Sequence, residues 1–156
     1  QRSEYSVERF RPSSMQERRR AREFVVQVSY AHEIQDDNLD QTFNLLAESS
    51  ELSEDLLKFA RRLVNGIIAH RQEFDELISS KSKNWDLTRI ALVDRLILRM
   101  ALTEFFYFKD IPPKVSISEA IEIAKVFSTE ESSSFVNGIL DAILNDALSD
   151  GTISMI

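Results

Sequence analysis

The sequence of 156 residues has no cysteine and only three glycines and three prolines. The absence of cysteine excludes disulfide bonds, thiolate zinc sites and a cysteine nucleophile. Glycine and proline interrupt helices, so their scarcity beside abundant alanine, leucine, isoleucine and glutamate predicts an all-α fold. The length is that of one domain.

The sequence also shows no signal peptide, lipidation motif, internal repeat or low-complexity tract. Because nothing addresses the chain to a membrane or to export, the expected location is the cytoplasm.

Motifs for catalysis, metals or cofactors are missing as well. His32 and His70 are the only histidines, and Asp36 stands where the zinc-binding HExxH pattern needs its second histidine. There is no glycine-rich phosphate loop, and Ser132–Ser134 lack the GxSxG frame of a serine hydrolase. We therefore expect no enzyme, no metal site and no cofactor.

Charge is distributed unevenly along the chain. Residues 1–22 hold seven arginines against three glutamates, whereas residues 23–156 hold 12 basic residues against 23 acidic ones. A basic arm on an acidic body suggests polyanion binding. A solvated leader explains the same charges, and charge alone does not separate these interpretations.

One long stretch, Asp86–Phe108, is apolar around most of its circumference. A helix of this kind is buried on several sides, so we predict the central helix of a bundle, with Asp86 as its cap. Its charges argue against a membrane span, because each costs at least ~2.5 kcal/mol near a bilayer centre. Arg95 and Arg99, four residues apart, fit a solvated face. The charged residues after Asp86 are Arg89, Asp94, Arg95, Arg99 and Glu104.

Hydrophobic periodicity predicts helices on both sides of this element. Residues 1–14 are expected to be a flexible leader, residues 15–149 a helical domain and residues 150–156 a tail. The flanking helices are Met15–Glu33 after a Ser13 or Ser14 cap, Leu39–Glu48, a helix capped by Ser53 that runs on or breaks before Phe74, Lys114–Phe127, and Phe135–Leu148 after a loop over Ser128–Ser134 with Ser132 or Ser133 as its cap.

The first of these helices begins with an arginine cluster. Arg18 and Arg22 are four residues apart and share a face, while Arg19 and Tyr30 are about three turns apart and nearly align. Guanidinium groups beside an exposed aromatic ring suit single-stranded RNA, which offers phosphates and unpaired bases.

Several stretches resemble the NusB family of bacterial transcription antitermination factors. They are RRRARE (residues 18–23) before VQVSY (26–30), the buried segment 93–102, DIPPKVSISEAIEIAK (110–125), Phe127, Ser132 and FVNGILD (135–141). The resemblance extends over roughly residues 15–146, and it is strongest in 86–141.

The resemblance implies about seven helices arranged as two perpendicular three-helix bundles, without catalysis. It also implies binding of boxA, a short single-stranded element of ribosomal-operator leader RNA, together with NusE, a small ribosomal-subunit protein. The pair joins RNA polymerase with other Nus factors, and some relatives form homodimers that mask the RNA surface.

The family's RNA surface falls on residues in both halves of this chain. Phe135 would stack a base, and the alternative for it and for Phe127 is burial in the core. The full set is Arg18, Arg19, Arg22, Tyr30, Asp94, Phe127, Glu131 and Phe135.

Four positions depart from the family pattern. Ser128 replaces a usual glycine, Glu131 a common aspartate, Ser134 a frequent basic residue and His32 a frequent tryptophan. Two other functions remain open: the NusB-like RNA-recognition domain of a ribosomal RNA cytosine methyltransferase, and a helical interaction module that binds no RNA.

Overall fold

The computed structural model describes residues 13–35, 38–82 and 87–154. These residues form seven α-helices and one short 3₁₀ turn and contain no strand, which confirms the all-α prediction. The helices are α1 Ser13–Gln35, α2 Leu39–Glu48, α3 Glu54–Ala69, α4 Arg71–Lys81, α5 Leu92–Tyr107, α6 Pro113–Phe127 and α7 Glu130–Ser149, with the 3₁₀ turn at Leu87–Arg89.

The helix starts agree with the predictions only in part. The bounds of α2 are those predicted, and Ser53 caps α3 because its Oγ accepts the Leu56 N–H at 3.2 Å. The caps predicted for α1 are wrong, since Ser13 and Ser14 already lie inside that helix. The flexible leader predicted for residues 1–14 falls outside the described residues up to residue 12.

The last helix begins five residues earlier than predicted. Thr129 is its cap: the backbone there is extended (φ −126°, ψ 168°), and the hydroxyl accepts the Ser132 N–H at 3.0 Å. The predicted loop is therefore reduced to Ser128 and Thr129, and Ser132–Ser134 are helical. Two acidic residues, Glu130 and Glu131, occupy the first turn. Their negative charges interact favourably with the positive end of the helix dipole.

The central helix is confirmed as a buried element, but it is shorter than predicted. Helix α5 starts at Leu92, after the 3₁₀ turn and an extended Ala91, and the predicted cap Asp86 lies outside the described residues. Every residue from Leu96 to Phe105 is buried. Among the described residues, no helix combines the length and apolarity needed to cross a bilayer.

An ion pair stands at the centre of α5. Arg99 is 1% exposed and reaches Asp75 on α4 through two hydrogen bonds, Nε to Oδ1 at 2.8 Å and Nη2 to Oδ2 at 3.0 Å. The solvated face expected for Arg95 and Arg99 is therefore wrong at Arg99. The helical period places this arginine on a buried side, and Asp75 compensates its charge there.

The chain divides into two compact units, Gln1–Arg62 and Leu63–Ile156, so the division falls within α3. In the first unit α1 packs on α2, and the Phe24 and Phe43 rings meet edge to face at 5.2 Å. Its buried apolar side chains are Ala21, Phe24, Val25, Val26, Val28, Phe43, Phe59 and Ala60.

The second unit is organised around α5, which packs against α4, α6 and α7. Pro112 and Pro113 separate α5 from α6, and Pro113 takes the first helical position, where its missing N–H removes no hydrogen bond. Behind this junction the buried Ser116 hydroxyl donates to Glu104 Oε1 at 2.7 Å.

The close approach of α3 to α5 gives a stability prediction. A Cβ at Gly66 would collide with Thr103 Cγ2 and lie 3.2 Å from Thr103 Oγ1, whereas a Cβ at Gly138 on α7 meets nothing within 4 Å. We expect Gly66→Ala to lower the free energy of unfolding by about 1–3 kcal/mol, and Gly138→Ala to raise it by up to about 1 kcal/mol. Urea denaturation measures both.

Replacement of Thr103 tests the cause. Thr103→Ser removes Cγ2 but keeps the hydroxyl that donates to the Arg99 carbonyl at 2.8 Å, so it should recover part of the stability lost in Gly66→Ala. Equal stabilisation by the two alanine substitutions would contradict the close contact.

Candidate nucleic-acid interface

The arginines of α1 differ in exposure. Arg18 and Arg19 are half-buried, Arg20 is exposed, and Arg22 is only 2% exposed. Since one turn brings residues i and i+4 to the same side, Arg18 and Arg22 face the same neighbour, as their spacing predicts.

That neighbour is Phe59 on α3. The guanidinium carbons of Arg18 and Arg22 lie 4.6 Å and 5.4 Å from the centroid of its ring. Cation–π attraction at these distances contributes about 0.5–2 kcal/mol. Two of the predicted RNA-binding arginines therefore also stabilise the first unit, and Arg22 presents almost no surface to a ligand.

The opposite end of α1 carries exposed apolar surface. Tyr30 is 42% exposed, and Ile34, one turn further on, is 60% exposed. With Arg19 and Arg20, Tyr30 gives the first unit the combination of cationic and aromatic surface that the sequence predicts. The sequence does not single out Arg20, because the neighbouring Arg18, Arg19 and Arg22 are of the same residue type. The four side chains differ only in their exposure to solvent, which the structure shows.

The predicted residues of the second unit meet at a cavity of about 340 Å³. Asp94 from α5 and Glu131 and Phe135 from α7 line it, together with Ile90 and Ser132. Arg89, Ala91 and Thr129 complete the wall. Phe127, which ends α6, is half-buried and does not line this cavity.

Asp94 is the most unusual group in this wall. It is 5% exposed, and within the part of the chain that the structure describes its Oδ1 has no hydrogen-bond partner. A buried oxygen without a donor costs about 1–3 kcal/mol. Its place in the first turn of α5 compensates in part, because the helix N-terminus favours negative charge.

Phe135 lies in the second turn of α7 rather than at its start, and it is half-buried at the cavity wall. The Thr129 cap fixes this position: Ser132 donates its N–H to Thr129 Oγ1, and the Ser128 hydroxyl donates to Ser132 Oγ at 2.9 Å. The serine that replaces the usual family glycine thus takes part in holding the start of α7.

Arg89 and Thr129 are the wall residues that sequence reasoning missed. Arg89 is an exposed cation at the mouth of a cavity with two acidic groups. The available signal was its position just before the buried helix, but the 3₁₀ turn that presents it is not visible in the sequence pattern.

The side chains of this wall offer groups for the recognition of a nucleotide. An aromatic ring, a carboxyl oxygen without a donor and a nearby guanidinium can stack a base, accept a hydrogen bond from a base amino group and contact phosphate. Within the described residues, no three His, Asp or Glu side chains are grouped so that they could hold a metal ion.

Comparison with known proteins places this architecture in a family. Residues 19–145 match the model of the NusB family. The chain belongs to the NusB family. This match includes α1 from Arg19 onward and all residues that line the cavity.

Individual relatives agree with this assignment. The transcription antitermination protein NusB of Chloroherpeton thalassium is 41% identical over 137 residues, which are 87% of this chain and 65% of that protein. The chain thus spans about two thirds of the length of this NusB relative.

Solved NusB structures share the fold. T. maritima NusB superposes with a TM-score of 0.74 at 42% identity, covering 83% of this chain and 91% of that one. A crystal structure of the antitermination factors NusB and NusE in complex with double-stranded RNA gives a TM-score of 0.76 at 26% identity, covering 85% of this chain and 98% of the matched chain.

The Phe59 contacts predict different roles for arginines two residues apart. Arg22→Ala removes a buried side chain and one cation–π contact, so we expect the free energy of unfolding to fall by about 1–3 kcal/mol. Arg20→Ala, at an exposed position with the same charge, should change it by less than about 0.5 kcal/mol. Urea unfolding monitored by circular dichroism gives both values, and equal effects would contradict the packing role of Arg22.

Proposed function

We propose that this chain is a transcription antitermination factor of the bacterial cytoplasm. In this proposal it binds boxA-type single-stranded RNA together with NusE, and the assembly joins RNA polymerase with other Nus factors. The observation that carries the proposal is the cavity in which the Phe135 ring and the Asp94 carboxyl stand together in a NusB-family chain.

An unpaired base is the ligand that this cavity fits best. Its π-face would stack on Phe135, and an amino group on its edge would donate to the Asp94 carboxyl in the cavity wall. Glu131 is exposed beside them and offers a second acceptor. Because bases in a duplex hide both their faces and their pairing edges, this chemistry favours single-stranded RNA.

Arginines supply the positive charge that phosphate groups need and that Asp94 and Glu131 cannot offer. Arg18, Arg19 and Arg20 on α1 and Arg89 at the cavity offer guanidinium groups for phosphate. Phosphate contacts position a strand without reading its sequence. Stacking on Phe135 tolerates any base, so the base-specific part of recognition is assigned to Asp94.

NusE is proposed as the protein partner because a solved relative is assembled with NusE and RNA. Exposed apolar side chains at Tyr30 and Ile34 are the kind of surface that a protein covers. Tyr30 is also a candidate for stacking a base, so this end of α1 is a place where RNA and NusE can both contribute. A homodimer that covers the same surface would compete with both ligands.

Salt dependence separates the proposed phosphate contacts from stacking. We expect the double variant Arg18→Ala/Arg19→Ala to bind RNA more weakly and to reduce the slope of log affinity against log salt by about 0.7 per lost phosphate contact. Phe135→Leu should weaken binding about 5- to 150-fold, the equivalent of ~1–3 kcal/mol of stacking, and leave the slope unchanged. Fluorescence anisotropy with a labelled boxA-type strand measures both, with NusE present and absent.

Two controls accompany these titrations. Thermal unfolding verifies that each variant is folded, which matters because Arg18 also contacts Phe59. A duplex of the same sequence competes for binding if the site reads double-stranded RNA instead. Wild-type affinity in both variants would exclude this RNA site.

Asp94→Asn gives a second, independent prediction. Removing a negative charge beside a polyanion should strengthen RNA binding by electrostatics alone. If the Asp94 carboxylate accepts a hydrogen bond from a base amino group, its loss should instead weaken binding about 3- to 10-fold, because hydrogen bonds to charged groups are the stronger ones. Anisotropy with strands that differ at one base then shows whether discrimination between bases is lost, and tighter binding by Asp94→Asn would reject Asp94 as a base reader.

A further inference from the structure

A second concave surface lies in the second unit, between α4, the end of α5 and the end of α7. This groove has a volume of about 680 Å³, and none of its lining residues lines the cavity at Phe135. Its apolar floor includes Leu77, Phe106 and Ile143. The proposed RNA-binding function uses none of these side chains.

Carboxylates surround this floor. Glu73 and Glu76 belong to α4 and Asp146 to α7, and Asp150 directly follows α7. Among the described residues that line the groove, Lys81 is the only basic one. Lys81 is paired with Asp146, so a negative charge remains at the rim. Such a rim repels RNA and favours a cationic ligand.

Tyr107 gives the groove a fixed aromatic wall. It is 45% exposed, and its ring stacks on that of His70 with centroids 4.1 Å apart and planes 10° apart. Its hydroxyl lies 3.3 Å from His70 Nδ1. Loss of solvation and the Glu73 carboxylate raise the pKa of Tyr107, so the phenol stays neutral. A partly exposed tyrosine held in one orientation is typical of interface anchors.

The shape and charge of the groove limit the kinds of ligand that fit it. Metal ions are disfavoured, because no described cluster of acidic and histidine side chains can hold one. A floor of apolar side chains inside an acidic rim fits a peptide that places one apolar side chain on the floor and basic side chains at the rim. An arginine of such a peptide could also stack on the Tyr107 ring.

We propose that the groove between α4, α5 and α7 docks a basic segment of a partner protein, anchored by one aliphatic or aromatic side chain. This surface is separate from the RNA-binding cavity, so the chain can hold RNA and the basic segment at once. The charge complementarity of the rim and the apolar floor are the two features that select the segment.

The test uses the full chain and a short fluorescent peptide with several arginines around a central leucine. Wild-type protein should bind this peptide, and Glu73→Gln/Glu76→Gln should weaken binding about five- to tenfold at low salt, because two exposed charge pairs are lost. The control Glu122→Gln/Asp141→Asn also removes two negative charges, but from positions outside the groove. It should leave the affinity for the peptide within about twofold of the wild-type value. Equal weakening by both double variants would mean non-specific attraction to an acidic protein and would overturn the proposal.

The apolar anchor is tested with a second peptide in which serine replaces the leucine. It should bind wild-type protein more weakly than the first peptide, and Leu77→Ala, which shortens a half-buried side chain of the floor, should remove most of that difference. Circular dichroism verifies folding. RNA and NusE binding should be unchanged in Glu73→Gln/Glu76→Gln, and loss of either would overturn the groove as a separate surface.

Discussion

The second unit depends on how one charge is placed inside its central helix. Arg99 lies in the middle of a continuous buried run on α5, and Asp75 receives it through two hydrogen bonds. Removal of the carboxylate would leave a buried charge unpaired and would destabilise the folded protein by about 3–5 kcal/mol. The pair therefore couples α4 to α5, and the elements that form the cavity at Phe135 and the acidic groove pack against these two helices.

Much of the fold could be predicted because periodicity reports burial directly. The limits of α2, the cap at Ser53 and the buried run of α5 follow from apolar spacing and from one hydroxyl in the right place. The start of α7 could not be predicted in the same way. Five hydroxyl side chains occur between residues 128 and 134, and only the extended backbone at Thr129 selects the cap.

The candidate site shows the same division between local pattern and long-range packing. The spacing of Arg18 and Arg22 places them on one face, but no local pattern indicates that Phe59, more than 35 residues later, covers that face. Tertiary structure determines these roles: it buries Arg22, exposes Arg20 and brings Arg89 into the cavity wall. Asp94, Glu131 and Phe135 were identified through the family resemblance, and the structure adds that they surround one cavity.

The stacking of Arg18 on Phe59 has a consequence for how a strand would be captured. The guanidinium carbon lies 4.6 Å from the ring centroid, and cation–π attraction favours that position of the side chain. The ring then acts as a support that limits the rotation of a long, flexible side chain before any ligand arrives. A phosphate that contacted Arg18 would immobilise fewer rotatable bonds than at a freely moving arginine, because folding has already restricted this side chain.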